Sequence, residues 1–327
     1  MEKRKDGKTR DTEDKVFELI EIKLSNVKGG VRISWKEKPK QDAGAKDAGP
    51  KNAGPKNAGQ REIYQVFRTT FAGSWDVIGT TEETEYFDYK VVNRTEYSYA
   101  VIAASDVRPR PRQLDLKSSA ITYVSDVNLT KIENVRQGVK LTWSRCAGME
   151  KFDVFCRTLG TGWRAVASTE NISTVITTLD GRTTLEEGEH YFFKVRGYTH
   201  GRMDGMLHAG IFSNEREIVR VAPPAISSVK IQRGRVIRIS WKEKPEVSGY
   251  RIQLSQDASF KEKVKGMNVR GEGKCSKTVG PLEGAVYYLR ISCYRKVDGK
   301  IYSSAWSSAR AVRMDTNAFG QAEAADR

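Results

Sequence analysis

The sequence predicts an all-β protein made of three tandem antiparallel sandwiches, each of about seven short strands. Three observations carry that reading: a tryptophan-ended strand written three times, two further strand landmarks that follow it in the same order each time, and apolar residues gathered in short clusters rather than long runs. Residues 33–39 read ISWKEKP and residues 239–245 read ISWKEKP again, with LTWSR at 141–145 between them. The three tryptophans, Trp35, Trp143 and Trp241, are 108 and 98 residues apart, which is the length of a whole sandwich and too long for a solenoid repeat.

Each tryptophan closes a segment of alternating apolar positions: Val31, Ile33, Trp35; Val139, Leu141, Trp143; Ile237, Ile239, Trp241. Period-two spacing marks a strand with one buried face. The second landmark is Tyr64-Gln65-Val66-Phe67-Arg68, then Phe152-Asp153-Val154-Phe155-Cys156-Arg157, then Tyr250-Arg251-Ile252-Gln253-Leu254. The third is Tyr97-Ser98-Tyr99-Ala100-Val101, Tyr191-Phe192-Phe193-Lys194-Val195 and Tyr287-Tyr288-Leu289-Arg290-Ile291. Asp204-Gly205 and Asp298-Gly299 sit between apolar residues, where a tight hairpin turn needs positive φ.

Over about Leu19 to Met314 these residues resemble fibronectin type III domains, which are immunoglobulin-like sandwiches. The resemblance rests on the tryptophan of the second strand, the tyrosine opening the third, and a late tyrosine at Tyr97, Tyr191 and Tyr287 in the place of a tyrosine corner. Phe152 replaces the tyrosine in the second unit. The run from 287 to 312 is similar to fibronectin repeats in surface and secreted proteins of Gram-positive bacteria. The resemblance implies a fold and an extracellular or surface setting, with no catalytic residue.

The expected organisation is a tail at 1–17, sandwiches at 18–125, 126–222 and 223–314, and a second tail at 315–327. Between Pro39 and Tyr64 lie 24 residues where the third unit has four between Pro245 and Tyr250, so the first unit carries an insertion at about 40–60, in its B–C loop. Its five-residue beat of Ala, Gly, Pro, Asn, Asp and Lys cannot bury a core, and a mobile solvated loop is expected. Met1 to Lys15 has no apolar run after its basic residues, and 315–327 has no sorting tail. The expectation is either a cytoplasmic protein or a piece of something longer.

The chain has 56 Lys and Arg against 41 Asp and Glu, a formal net charge of +15. The excess is local: +3 on residues 18–125, +1 on 126–222 and +12 on 223–314. An anionic glycan, a wall polymer or another surface protein is therefore the expected partner class, met through the third unit. Lys261, Lys263 and Lys265, read as one strand face, and Arg233 and Arg235, read the same way, are the candidate polyanion contacts. Solvation and protection of a sheet edge are the competing roles for such cations. Trp75 and Trp163, in equivalent places, are candidate aromatic contacts for a sugar or protein partner, against the alternative of packing over a neighbouring strand.

No catalytic residue, cofactor or metal site is expected. The three histidines, His190, His200 and His208, all lie in the second unit, and G-x-S-x-G, H-E-x-x-H, Walker A and dinucleotide glycine patterns are absent. His208 is expected opposite Gly201 and diagonal to His200, a poor basis for zinc. The four cysteines, Cys146, Cys156, Cys275 and Cys293, form no C-x-x-C pair and are expected as buried thiols. Specific nucleic-acid binding lacks a recognition helix, finger or RNP-like strand, and no run is long enough to span a membrane. The functional expectation is a non-enzymatic adhesion, spacer or wall-binding array, with the accessory part of a larger secreted hydrolase as the alternative. Replacing Asp42 to Gly59 by a short Gly/Ser closure is expected to change stability by less than about 1 kcal/mol, read from the denaturation midpoint of the first unit.

Overall fold

The computed structural model describes residues 17–39, 62–71, 73–103, 118–271 and 273–314. The low-complexity insertion and residues 1–16 and 315–327 lie outside the described residues, and β1 starts on Phe17, the last position of the expected tail. All pairings among the described strands are antiparallel and no helix occurs there.

The first group holds β1 (Phe17–Val27), β2 (Gly30–Pro39), β3 (Tyr64–Thr70), β4 (Asp76–Thr81), β5 (Glu85–Asp88), β6 (Glu96–Ala103) and β7 (Ile121–Thr122). They form two sheets, β1-β2-β5 and β4-β3-β6-β7. The second holds β8 (Leu129–Val135), β9 (Gly138–Trp143), β10 (Lys151–Arg157), β11 (Arg164–Thr169), β12 (Ser173–Ile176), β13 (His190–His200), β14 (Leu207–Phe212) and β15 (Arg216–Val219). Its sheets are β12-β9-β8 and β11-β10-β13-β14, with β15 also on β13. The third holds β16 (Ile226–Gln232), β17 (Val236–Trp241), β18 (Gly249–Ser255), β19 (Lys265–Arg270), β20 (Ser276–Val279), β21 (Val286–Val297), β22 (Lys300–Ser303) and β23 (Arg310–Arg313). It repeats the pattern as β16-β17-β20 and β19-β18-β21-β22, with β23 also on β21.

Alternation in the sequence becomes alternation in burial. Along β10 and β13 every second side chain is buried, and the inward sets of the two sheets meet in one core per sandwich. Trp35, Trp143 and Trp241 are 4%, 2% and 3% exposed. Each ring lies against the aromatic residue that opens the next strand: Trp35 on Tyr64 at 5.3 Å, Trp143 on Phe152 at 5.5 Å, Trp241 on Tyr250 at 5.1 Å between centroids. Aromatic pairs of this tilted kind add about 0.5–1.5 kcal/mol to the burial of the rings.

Backbone bonds repeat with the same fidelity. The backbone N–H of each tryptophan donates to the chain entering the fifth strand: Trp35 to Thr84 O at 3.1 Å, Trp143 to Ile172 O at 3.0 Å, Trp241 to Cys275 O at 3.0 Å. The late tyrosines form corners, each hydroxyl accepting from a backbone N–H a few residues upstream: Val92 to Tyr97, Glu186 to Tyr191 and Gly284 to Tyr287, at 2.9, 2.8 and 2.9 Å. A serine after the sixth strand closes a two-bond bridge onto it in every sandwich. Ser118 bridges Tyr99, Ser213 bridges Val195 and Ser307 bridges Ile291, each N–H giving to the strand carbonyl and each Oγ taking the strand N–H.

Two hairpins test the turn chemistry. Val297 and Lys300 pair directly across Asp298-Gly299, with φ of +47° and +80°, so this is the expected two-residue primed turn. Asp204-Gly205 differs: Gly201 N donates to Met206 O at 2.9 Å, which leaves four residues in the loop with Gly205 at φ +63°. The wider loop sets Gly201 against Met206 rather than against His208, correcting the expected register. Cys156 and Cys293 are buried, Cys146 and Cys275 only half-buried, and all four are free thiols. Burial pushes the Cys156 thiol up to about 12.

Contacts gather into two compact units: residues up to 126 with 198–211, and 127–197 with the chain from 212 onward. The second and third cores thus belong to one unit. Tyr191→Phe is expected to leave the Glu186 N–H without its acceptor and to cost about 1–3 kcal/mol. A lowered denaturation midpoint at unchanged m-value checks it, and a midpoint equal to that of the parent protein would show the corner to be ornamental.

Candidate functional site

The residues expected to meet an anion are placed differently from the alternating strand faces their spacing suggests. Lys261 and Lys263 lie on the loop between β18 and β19, and only Lys265 belongs to a strand. That loop is organised by Asp257, whose carboxylate accepts from Ser259 Oγ at 2.5 Å, Ser259 N and Lys261 N at 2.8 Å and Glu262 N at 3.3 Å. Those bonds hold the Asp257 carboxyl well below the usual carboxylate range, the Ser259 side chain contributing most. Lys263 takes φ +49°, so the three lysines share an exposed edge rather than one strand face.

Arg233 and Arg235 sit in the β16–β17 turn, not in alternation along a strand. Arg233 is exposed. Arg235, at φ +57°, commits its guanidinium to three carbonyls, Leu282 O at 2.5 Å, Glu283 O at 3.1 Å and Gly284 O at 2.8 Å. It ties the turn to the loop before β21, and those donors are not free for a ligand.

The tryptophans are half-buried. Trp75 packs with Ile102 against Phe67 and Ala100 on the outer side of the first sandwich. Trp163 is held between two cations, with the Arg157 guanidinium 5.2 Å and the Lys194 ammonium 4.2 Å from its ring centre. The same cations continue outward: Arg157 lies 4.0 Å over Phe192, Lys194 3.8 Å over Phe212, and Phe155 meets Phe212 edge-on at 5.0 Å. Glu215 closes the stack with 2.7 Å to Arg157. Burial draws the Lys194 ammonium below its usual range, and the quadrupole of the rings offsets part of that loss.

Histidines serve local structure. His208 Nε2 lies 2.7 Å from Asp204 Oδ2 and 3.3 Å from Thr122 Oγ1. His190 stacks on Phe192 at 4.7 Å. Among the described residues no group of three His, Cys, Asp or Glu side chains is arranged to hold a metal ion.

The arrangement of strands decides the architecture. In every copy the fourth strand joins the third and sixth rather than the fifth, unlike the constant-type immunoglobulin arrangement, and the late tyrosine makes the corner. The fold is fibronectin-type-III-like in all three copies. Among solved structures the chain is similar to the FN1–FN3 domains of chicken CNTN1, at 15% identity over 89% of this chain and 97% of that one, with a TM-score of 0.33. It is also similar to a two-domain fibronectin type III segment of chicken tenascin, at 13% identity over 57% of this chain and 97% of that one, with a TM-score of 0.27. Superposition that loose adds nothing to the strand order itself. No family model and no curated protein matches the sequence.

The second and third fibronectin-type-III-like sandwiches meet through polar groups that no sequence pattern announced. Arg220, 5% exposed, prepares the second sandwich's side of this meeting by giving Nη1 to Val135 O at 3.0 Å and Nη2 to Arg136 O at 3.0 Å, all within that sandwich. Asn134, also buried, links Val219 O at 2.9 Å to Ser303 O at 3.2 Å through Nδ2. Lys244 reaches across to the Glu187 carboxylate at 2.5 Å and to Ala222 O at 3.1 Å, and Lys300 pairs with Glu217. Beside this junction a cleft of about 510 Å³ is lined by Phe192, Glu217, Lys300 and Tyr302 among others, with Glu217 and Lys300 paired to each other.

Also missed were Arg251 and Arg290, which flank buried residues of the second and third landmarks. Their signal was present as the polar alternates of Tyr250, Ile252 and Leu289, Ile291, but an exposed strand position does not reveal its neighbours. Trp163→Ala is expected to cost about 1–3 kcal/mol by removing a ring that two cations and the sheet enclose. A denaturation midpoint within experimental error of the parent would mean that Trp163 is a spare ring available to a partner.

Proposed function

We propose that the chain is a non-enzymatic adhesion or spacer array, working outside the cell or at its surface, whose third sandwich meets anionic polymers. The observation that carries this is the concentration of charge: +12 on residues 223–314, against +1 on 126–222. Lys261, Lys263 and Lys265 are exposed and, among the described residues, none of the three has an ion-pair partner. A spacer role draws support from the junction between the second and third sandwiches, where Asn134 reaches Ser303 O, Lys244 reaches Glu187 and Ala222 O, and Lys300 pairs with Glu217. Among the described residues no helix is long and apolar enough to cross a membrane.

The physics of such a contact is counterion release and screening, so affinity falls steeply with salt. Full-length protein is expected to bind heparin at about 50 mM salt and to lose roughly a hundredfold in affinity by about 200 mM, as three or four charge contacts require. A neutral dextran column should retain nothing. Salt-independent retention, or equal retention on both columns, would leave the array as a soluble spacer only.

A further inference from the structure

We infer that the outer face of the β19-β18-β21 sheet in the third sandwich is a seat for an acidic polysaccharide, with Arg270, Arg251 and Arg290 as its three anion contacts. The inference rests on the polyanion reading above and names the surface that would carry it.

Burial and register define the face. Tyr250, Ile252 and Leu254 of β18 and Leu289, Ile291 and Cys293 of β21 are at most 2% exposed, so the half-buried Arg251, Gln253 and Arg290 point the other way, with Ser292 at 3% exposure covered among them. Gly249 pairs with Arg270 on one side, Arg251 pairs with Ser292 on the other, and Gln253 pairs with Arg290. Arg270, Arg251 and Arg290 therefore step diagonally across three neighbouring strands. With strands about 4.8 Å apart and about 3.3 Å per residue, successive arginines are roughly 8 Å apart. A polymer bearing an anion on each repeating unit can follow such a line.

The face supplies no counter-ions of its own. The five strands of this sheet contain nine lysines and arginines and no Asp or Glu. Arg295 and Lys300 are paired, to Glu246 and Glu217. Among the described residues the three stripe arginines have no carboxylate partner. The Arg290 guanidinium carbon lies 4.1 Å from the Phe260 ring centre and 4.9 Å from that of Trp306, with Nε engaged to Gln253 Oε1 at 2.8 Å. Arg251 stacks on Tyr294 at 4.9 Å and gives Nη1 to Ser303 Oγ at 3.0 Å. Stacking and these single bonds hold each guanidinium in place and leave Nη1 and Nη2 of Arg290 and Nε and Nη2 of Arg251 to grip a sulfate or carboxylate two at a time.

The second sandwich is the internal comparison. The position after the opening aromatic is Asp153 there and Arg251 here, and two residues beyond the bridging serine stands Glu215 there and Ala309 here. Asp153 pairs with Lys151 and Glu215 with Arg157, so two cations of that face are paired by carboxylates of its own. On the same scaffold the third sandwich has exchanged both carboxylates away.

Nucleic acid fits this face less well. Its rings are covered by arginine, and the exposed large apolar side chains of the third sandwich, Ile231, Val264 and Ile301, include no aromatic on which a base could stack.

The test measures heparin affinity of the full chain against salt. R251Q/R290Q is expected to weaken binding about tenfold and to flatten the log–log salt slope by about two, while K261Q/K263Q/K265Q stays within about twofold. R270Q, at an exposed side chain, is expected to lose about two- to fivefold and guards against a folding artefact at Arg290. Loss confined to the triple-lysine variant overturns the inference and leaves the polyanion reading standing. Absence of salt-dependent heparin binding by the unaltered protein overturns both. A DNA duplex of about 20 base pairs that binds as tightly as heparin, with the same loss in R251Q/R290Q, overturns the choice of polysaccharide.

Discussion

Each sandwich depends on one contact, the tryptophan of its second strand lying against the aromatic residue that opens its third. The second strand belongs to one sheet and the third to the other, so this contact is where the two layers are joined. A ring of that size, nearly removed from water, contributes more stabilisation than an aliphatic side chain, and it fixes which face of each strand must turn inward. The tryptophan backbone N–H simultaneously holds the chain entering the fifth strand, so side chain and main chain of one residue place three strands. The tyrosine corner and the serine bridge then settle the sixth and seventh strands onto a frame already defined.

That economy confines repetition to the inside. Inward positions hold Val, Ile, Tyr and Trp in all three copies, with Leu or Phe added in the second and third, because a packed core of fixed thickness tolerates little else. Outward positions on the β10-β13 face and the β18-β21 face answer to no such demand. The second sandwich covers its cations with rings and pairs Arg157 with Glu215, whereas the third leaves Arg251 and Arg290 stacked and without a carboxylate among the described residues. One scaffold thus supports a surface partly paired by its own carboxylates and a surface whose stacked arginines have none among the described residues, and function resides in the surface rather than the fold.

The end of the second sandwich, where its chain leaves β15, shows a different compromise. Burying the Arg220 guanidinium opposes its charge, and carbonyls of Val135 and Arg136 offset that cost only because their positions are held by β8 and its turn. Such bonds are directional. They favour one relative setting of neighbouring strands over others, where an apolar patch of equal area would tolerate sliding.

How much was legible follows from what each signal measures. Period-two alternation around Trp35, Trp143 and Trp241, and the spacing of Tyr97, Tyr191 and Tyr287, report burial directly, so three sandwiches and their core residues are legible in the amino-acid order alone. The primed turn at Asp298-Gly299 was legible because positive φ is a local property. The wider loop at Gly201 to Met206 was not, since turn length there is settled by the pairing on either side of it. Lys261 and Lys263 read as strand because alternation with charged residues looks the same in a strand and in a loop, and only the capture of four donors by Asp257 decides for the loop. Arg235 read as free because nothing local shows that Leu282, Glu283 and Gly284 come within reach of it. The sequence by itself determined which residues are inside and in what order the strands follow, because burial leaves a periodic trace along the chain. Which outward cations are paired, stacked or left bare was decided only by the tertiary structure, because a partner tens of residues away leaves no trace in the local pattern.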